Sequence, residues 1–137
     1  MDTAELRADC GNCFGLCCVA LAFTRSADFA RDKAAGEPCG HLGPDHRCGI
    51  HDRLRERGYA GCTVYDCLGA GQKVSRHTFA GQDWRQAADG GKAMFAVLPV
   101  VRQLHELLRH LAEVRALPAA AELHGAAAEA AARIEAL

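Results

Sequence analysis

Apolar residues recur at helical spacing in the last third of the chain. Between Lys92 and Leu117 these positions are Met94, Val97, Leu98, Val101, Leu104, Leu108 and Leu111. Their period predicts an amphipathic helix over this stretch. Pro99 lies inside it, so we expect the helix to kink or to begin there. Pro118 opens a second, alanine-rich helical segment that continues to Leu137.

In the first half of the chain the apolar runs are short, and they predict short secondary-structure elements. Val19 to Phe23 is an apolar run typical of a short strand or core segment. Ser26 can cap a helix that ends at Gly36, and Ile50 to Arg57 predicts another that ends at Gly58. Thr63 to Tyr65 reads as a brief extended piece. Proline, glycine and aspartate between these stretches predict loops.

Cysteine usage changes this picture, because all eight cysteines lie between positions 10 and 67. Such a density exceeds that of ordinary globular chains. The N-terminus is polar and lacks the features of a signal peptide, so we expect a cytoplasmic protein with reduced thiols. We therefore predict metal binding rather than structural disulfides or free buried thiols. The candidate ligands are Cys10, Cys13, Cys17, Cys18, Cys39, Cys48, Cys62 and Cys67.

The spacing of these cysteines leaves the number of metal ions open. Cys10 and Cys13 form the two-residue clamp usual for zinc or iron–sulfur sites. Cys17 and Cys18 are adjacent, and adjacent side chains diverge by about 100° on a helix. The pair therefore indicates two metals, a bridging thiolate, or one ligand beside one packed thiol. Eight sulfurs divide into two sites of four, and the sequence does not choose the partition.

Histidine can also bind zinc, and His51 follows Cys48 by three residues. We treat His51 as a further candidate ligand. The histidines of the C-terminal part are expected to be solvated helix residues; these are His105, His110 and His124.

Several ordered motifs resemble a known family. Cys10-Gly-Asn-Cys13, Cys17-Cys18, Cys39-Gly-His-Leu42, Arg47-Cys48-Gly-Ile-His51 and Gly61-Cys62-Thr-Val-Tyr-Asp-Cys67 are similar to those of the YkgJ-like cysteine-cluster proteins. These are described as zinc- or iron-chelating domains, so the resemblance implies chelation. The stretch also resembles the cysteine-rich N-terminal module of some actinobacterial pentapeptide-repeat proteins, although this sequence contains no such repeats.

Together these observations predict a small, metal-stabilised, α-rich irregular domain with a C-terminal helical extension. Residues 1–75 would form the cysteine-rich metal-binding module, and residues 76–137 a mainly helical segment packed on it. Zinc is the first choice of metal, with iron or an iron–sulfur cluster as the alternative.

The predicted function is metal chelation through one or two centres. The alternatives are a metal-dependent enzyme or tailoring factor with an open coordination position, and a redox sensor, metal sensor or carrier. We identify no catalytic motif. The formal net charge of −1 and the lack of a long apolar run predict neither nucleic-acid nor membrane partners. The C-terminal helices could bury their apolar face in a homodimer or on a protein partner.

Overall fold

Helices make up most of the structure, a computed structural model that describes residues 2–137. Within that range the backbone forms no β-strand beyond two isolated bridges, Phe23 with Lys33 and Leu42 with Cys48. The prediction of a small α-rich fold with a helical C-terminal part is therefore confirmed. No helix in the same range is both long and apolar enough to cross a bilayer.

Five α-helical segments and several tighter turns follow one another along the described chain. The α-helices are α1 (Leu16–Ala20), α2 (Ala60–Val64), α3 (Ala70–Gln72), α4 (Lys92–Ala116) and α5 (His124–Glu135). A π-helical turn, Lys73–Thr78, continues α3 directly. The 3₁₀ turns are Thr3–Leu6, Cys10–Asn12, His51–Arg53, Trp84–Gln86 and Pro118–Leu123.

The long helix predicted from the apolar spacing is present as α4, but it does not begin at Pro99. It begins at Lys92, after Gly91 in the left-handed region with φ 93°. The carboxylate of Asp89 accepts hydrogen bonds from the amides of Gly91 (2.9 Å) and Ala93 (3.0 Å). These bonds satisfy amides that a helix start leaves without partners, which fixes the start upstream of the proline.

One core cluster joins the cysteine-rich part to α4. Its central side chains are fully buried: Leu16 and Val19 of α1, Val74 of the π-helical turn, and Leu98 of α4. Trp84 lies beside them and donates from Nε1 to the carbonyl oxygen of Phe14 at 2.9 Å. The division into residues 1–75 and 76–137 stays a prediction, but residues from both parts contribute to this core.

The rest of the α4 stripe is covered within the chain. Leu108 packs with Leu6 of the first 3₁₀ turn and with Ala131 of α5, and Leu111 and Ile134 lie against this cluster. The apolar residues on this face of α4 are therefore buried by other parts of the same chain. A homodimer or protein partner stays a prediction.

Two helices predicted in the first half are wrong. Residues 26–36 form a loop closed by the Phe23–Lys33 bridge, because the buried Lys33 ammonium donates to backbone carbonyls and holds the turn. Its acceptors are Val19 (3.1 Å), Ala34 (3.1 Å) and Glu37 (2.7 Å).

Residues 50–57 contain only the 3₁₀ turn and further turns, which bury Ile50 and Leu54 against Tyr59. The Val19–Phe23 stretch, predicted as a short strand or core segment, is not a strand: Val19 and Ala20 end α1 as core residues, and Phe23 forms the isolated bridge. Thr63 lies in α2 rather than in an extended piece. In these short segments, tertiary contacts override local propensity.

Replacing Leu98 with alanine tests the shared core. Leu98 is fully buried (0% exposed), so Leu98→Ala should lower the free energy of unfolding by about 2–5 kcal/mol. Leu107→Ala, on the same helix but 52% exposed, is the matched control and should change it by less than about 0.5 kcal/mol. Urea unfolding followed by far-ultraviolet circular dichroism measures both. Equal losses would contradict this placement of the core.

Candidate metal centre

Eight free thiols are supplied by four separate parts of the chain. Cys10, Cys17 and Cys62 are exposed, and the other five cysteines are half-buried. They come from the Cys10–Asn12 turn and the residue after it, from α1, from the 39–48 loop, and from α2 and the segment that follows it. The contacts that bring these parts together determine what the thiols can bind.

The Cys10–Asn12 turn is fastened to α3. The Asp9 carboxylate accepts from the Gly11 amide (3.1 Å) and from Asn12 Nδ2 (2.7 Å), which shapes the turn. The Gln72 side chain accepts from the Asp9 amide (3.2 Å) and donates to the Arg7 carbonyl (2.7 Å). Cys10 therefore lies beside the helix that begins three residues after Cys67.

The sulfur of Cys13 is supported by hydrogen-bond donors. Burial raises the pKa of the Cys13 thiol, while the Leu16 amide, the Ser75 hydroxyl and the Gly15 amide act in the opposite direction. Ser75, fully buried in the π-helical turn, also accepts from the Phe14 amide at 3.1 Å. Donors aimed at sulfur favour the thiolate, the form that binds metal.

Cys17 and Cys18 point the same way, contrary to the divergence expected of neighbours. Their Sγ atoms are 4.0 Å apart in the first turn of α1. Sharing a proton across this contact lowers the pKa of Cys17 to about 7 and raises that of Cys18. Burial and the thiolates of Cys17, Cys48 and Cys39 raise the Cys18 pKa further.

The 39–48 loop carries two more thiols to α1. The Cys39 amide donates to the Cys18 carbonyl at 2.8 Å, and the Leu42 amide donates to the Cys39 carbonyl at 3.0 Å. Cys48 then pairs with Leu42 in the second isolated bridge. Burial, together with the Cys39 and Cys17 thiolates, raises the pKa of Cys48, whereas the Ile50 amide lowers it.

Cys67 lies at a strained corner that α4 holds. Leu68 has a φ of 51°, a left-handed conformation uncommon for a residue with a side chain. Arg102 Nε donates to the Asp66 carbonyl at 2.8 Å, and His105 Nδ1 donates to the Leu68 carbonyl at 2.6 Å. The expectation of a solvated His105 is wrong, because its residue is 4% exposed and serves this corner.

Aromatic and cationic side chains border the thiols. Tyr65 lies between Cys62 and Cys67 in sequence, and burial with the Cys17, Cys67 and Cys13 thiolates raises its pKa to about 12. The Lys33 ammonium interacts with the thiolates of Cys39, Cys18 and Cys17. The buried Lys33 ammonium therefore offsets part of the negative charge that these thiolates would carry.

The histidines nearest the cysteines differ in their surroundings. His51 is exposed, and its amide donates to the Cys48 carbonyl at 3.4 Å. The His41 ring packs edge-on against Tyr59, with centroids 5.2 Å apart. His46 contacts Asp83, with 3.2 Å between Nε2 and the carboxylate. His51 stays a candidate ligand that nothing in this geometry decides.

Across residues 2–137, no three or more His, Cys, Asp or Glu side chains already stand in the geometry of a bound ion. The sulfur atoms do not surround a common centre, so their side chains would have to rotate to bind an ion. The ligand set therefore stays a prediction.

Comparison with known proteins gives one similar relative. The chain is 50% identical over 120 residues to the uncharacterized protein YybG of Bacillus subtilis (strain 168). The match covers 88% of this chain but 43% of the relative, so the chain spans less than half the relative's length. No protein-family model and no solved structure matches the chain. Function is therefore argued from the thiols and their neighbours.

Sequence reasoning missed four residues that shape this site: Lys33, Gly71, Ser75 and His105. A Cβ on Gly71 would lie 2.7 Å from the Cys13 sulfur, so a glycine is needed for that thiol to approach α3. A lone lysine or serine outside the cysteine motifs carries no comparable local signal. His105 offered a weak one, since it falls between the apolar positions Leu104 and Leu108.

Because the proton shared with Cys18 lowers its pKa, we expect Cys17 to react faster than the exposed Cys62 at neutral pH. Alkylation proceeds through the thiolate, so the Cys17 rate should rise with pH to a half-maximum near the pKa of about 7. Cys62, also exposed, has a pKa raised to about 11 by burial of its sulfur and the Cys17, Cys39 and Cys48 thiolates. In reduced, metal-free protein at pH 7, iodoacetamide should therefore label Cys17 at least about tenfold faster.

Peptide mass spectrometry over a pH series measures the two rates. Cys18→Ala removes the thiol donor and should move the Cys17 midpoint upward, whereas Thr63→Ala, beside Cys62, should leave it unchanged. Equal labelling of Cys17 and Cys62 at pH 7 would contradict the shared proton.

Proposed function

We propose that this protein binds metal ions through its cysteine thiolates, with zinc as the first choice and iron or an iron–sulfur cluster as the alternative. One observation carries the proposal: contacts within the fold bring free thiols from separate segments of the chain together. The Cys17 and Cys18 sulfurs are 4.0 Å apart, and the Cys39 amide donates to the Cys18 carbonyl at 2.8 Å. The sulfurs of Cys13 and Cys67 both lie against Gly71. Burial raises the pKa values of Cys10, Cys13, Cys48 and Cys62, and the Cys17 thiolate raises them further. Sulfur-rich sites select zinc or iron over hard cations.

The surroundings of the sulfurs also support binding. Backbone amides reach the thiols of Cys13, Cys17 and Cys48, and they favour ionised sulfur. A bound divalent cation would replace the protons that otherwise keep neighbouring thiols neutral. It would also anchor the 39–48 loop, whose Leu42 packs against the main apolar core. Metal stabilisation of the cysteine-rich part belongs to this proposal.

The resemblance to YkgJ-like cysteine-cluster proteins belongs to the same proposal, since those domains are described as chelating zinc or iron. A reducing compartment such as the cytoplasm suits it too, because the metal needs reduced sulfur. In YybG, more than half of the sequence lies outside the matched region.

Exposure of three thiols favours a second candidate, a metal carrier. A structural site is closed by its protein, whereas Cys10, Cys17 and Cys62 face solvent. Exposed thiolates can be attacked one after another by an acceptor's ligands. Zinc transfer to a coloured chelator separates the two functions: a carrier loses zinc within minutes, and a structural site keeps it until the chain unfolds.

Metal removal should destabilise the protein. Protein purified without oxygen should contain zinc, and a chelator should lower its thermal midpoint by roughly 10–20 °C, because a ligand at a thousand times its Kd contributes about 4 kcal/mol. Elemental analysis, absorption spectra and thermal scans measure content, metal identity and stability. A brown, iron-containing protein would favour the alternative metal. A folded protein that never contains metal, with thiols that titrate equally with and without chelator, would refute the function.

Two histidine variants test whether thiolates suffice. His51→Ala removes the candidate nitrogen ligand, and His110→Ala changes an exposed histidine on α4. Both should keep the full metal content, because eight sulfurs are enough to complete one or two four-ligand centres without a nitrogen ligand. Loss of metal in His51→Ala alone would make this histidine a ligand.

A further inference from the structure

Resting on the proposed binding of metal by thiolates, we infer that Cys17 and Cys18 together hold one soft monovalent ion, and that this ion is copper(I). The two sulfurs, here called the α1 pair, would bind the ion between them. The other six thiols stay available for the zinc or iron of the proposed function.

The separation of the two sulfurs suits one ion bound to both. The Sγ atoms of Cys17 and Cys18 are 4.0 Å apart, although neighbouring side chains of a helix usually diverge. An ion about 2.3 Å from each sulfur would make an S–metal–S angle of about 120° at this separation. Small side-chain rotations therefore suffice to place one ion against both sulfurs.

The number of ligands at the α1 pair favours an ion that needs few of them. Within residues 2–137, no third His, Cys, Asp or Glu side chain completes a metal-binding group with these two sulfurs. Zinc takes four ligands, so it would require further thiols to rotate toward the pair. Copper(I) is a soft ion that thiolates select, and two or three sulfurs satisfy it.

The backbone that carries the α1 pair is held on several sides. The Cys18 carbonyl accepts from the Cys39 amide at 2.8 Å, and the Val19 carbonyl accepts from the Gly36 amide at 2.9 Å. Leu16 and Val19, on either side of the pair in sequence, are fully buried in the main core. A pair held in this way loses little conformational freedom when it binds an ion, which favours tight binding.

The charge beside the pair favours a monovalent ion. The buried Lys33 ammonium donates to the Val19 carbonyl at 3.1 Å. Burial lowers the pKa of Lys33, and the thiolates of Cys39, Cys18 and Cys17 oppose this by raising it. Two thiolates with copper(I) carry one net negative charge, which remains for the ammonium to balance. Two thiolates with a divalent ion carry no net charge and would no longer attract the ammonium.

Copper(I) can take the place of the proton that the two sulfurs share. In the metal-free protein this contact lowers the pKa of Cys17 to about 7, and Cys18 keeps the proton. Copper(I) forms one bond to each sulfur, the S–H bond of Cys18 breaks, and the proton passes to water. No electron is transferred, and the pair keeps one net negative charge. Cys17 is exposed, so the ion can arrive from solvent.

Competition with a coloured chelator tests this site. Copper(I) is added without oxygen to reduced, metal-free protein in the presence of bicinchoninate, whose copper(I) complex absorbs visible light. The unmodified protein should take the first equivalent from the chelator. Cys17→Ser and Cys18→Ser should each weaken this first site by at least about 100-fold, because each removes one of its two ligands. Cys62→Ser, which removes an exposed thiol outside the pair, is the matched control and should weaken it by less than about threefold.

Two measurements on the unmodified protein need no variant. With one equivalent of copper(I) bound, iodoacetamide labelling should be blocked at Cys17 and Cys18 and should continue at Cys10 and Cys62. Peptide mass spectrometry measures this labelling. X-ray absorption at the copper edge should show two or three sulfur neighbours at the same loading.

Protection of other cysteines, four sulfur neighbours, or equal weakening in Cys62→Ser and Cys17→Ser would each overturn the copper(I) site. So would copper(I) that stays with the chelator. If the same protein still binds zinc or iron, those outcomes leave the proposed function intact. A protein that binds none of these metals would refute the site and the proposed function together.

Discussion

The free-energy cost of ionising buried, neighbouring thiols is the constraint on which the cysteine-rich half depends. Thiols held this close cannot all ionise unless a positive charge joins them. Burial, with a further contribution from neighbouring thiolates, accordingly raises the pKa values of Cys10, Cys48 and Cys62. The proton shared with Cys17 is the main cause that raises the pKa of Cys18. The fold nevertheless gathers these groups instead of separating them. When the thiols are protonated, they carry no charge and do not repel one another. When they are ionised, a bound metal ion would compensate their negative charge.

The helical half has a direct part in shaping the sulfur-rich half. Leu98 of α4 completes the core beneath α1, so the turn that carries Cys17 and Cys18 is packed from below. Farther along the same helix, Arg102 and His105 hold the backbone on both sides of Cys67. α4 is therefore a support for the cysteines as well as the longest element of the fold.

The sequence allowed the periodic part of this architecture to be predicted, together with the set of candidate ligands. α4 was predictable because its apolar positions follow one helical period over many turns. The 26–36 loop was not predictable, because its shape depends on hydrogen bonds from the Lys33 ammonium to backbone carbonyls, and no sequence pattern signals these bonds. The close approach of the Cys17 and Cys18 sulfurs was equally hidden, because it depends on side-chain rotamers that the spacing of the cysteines does not specify. His105 looked like its neighbours on α4 because nothing local distinguishes a histidine that faces a backbone carbonyl.

The contact between His105 and the corner after Cys67 has a consequence for how the chain matures. Synthesis proceeds from the N-terminus, so every cysteine leaves the ribosome before the residue that holds the final one in place. Until α4 has emerged and docked, the Leu68 carbonyl lacks its His105 donor. The left-handed conformation of Leu68 is then supported by local contacts such as the hydrogen bond from its amide to the Asp66 carboxylate (2.8 Å). Cys67 is therefore synthesised well before its backbone can reach its final position.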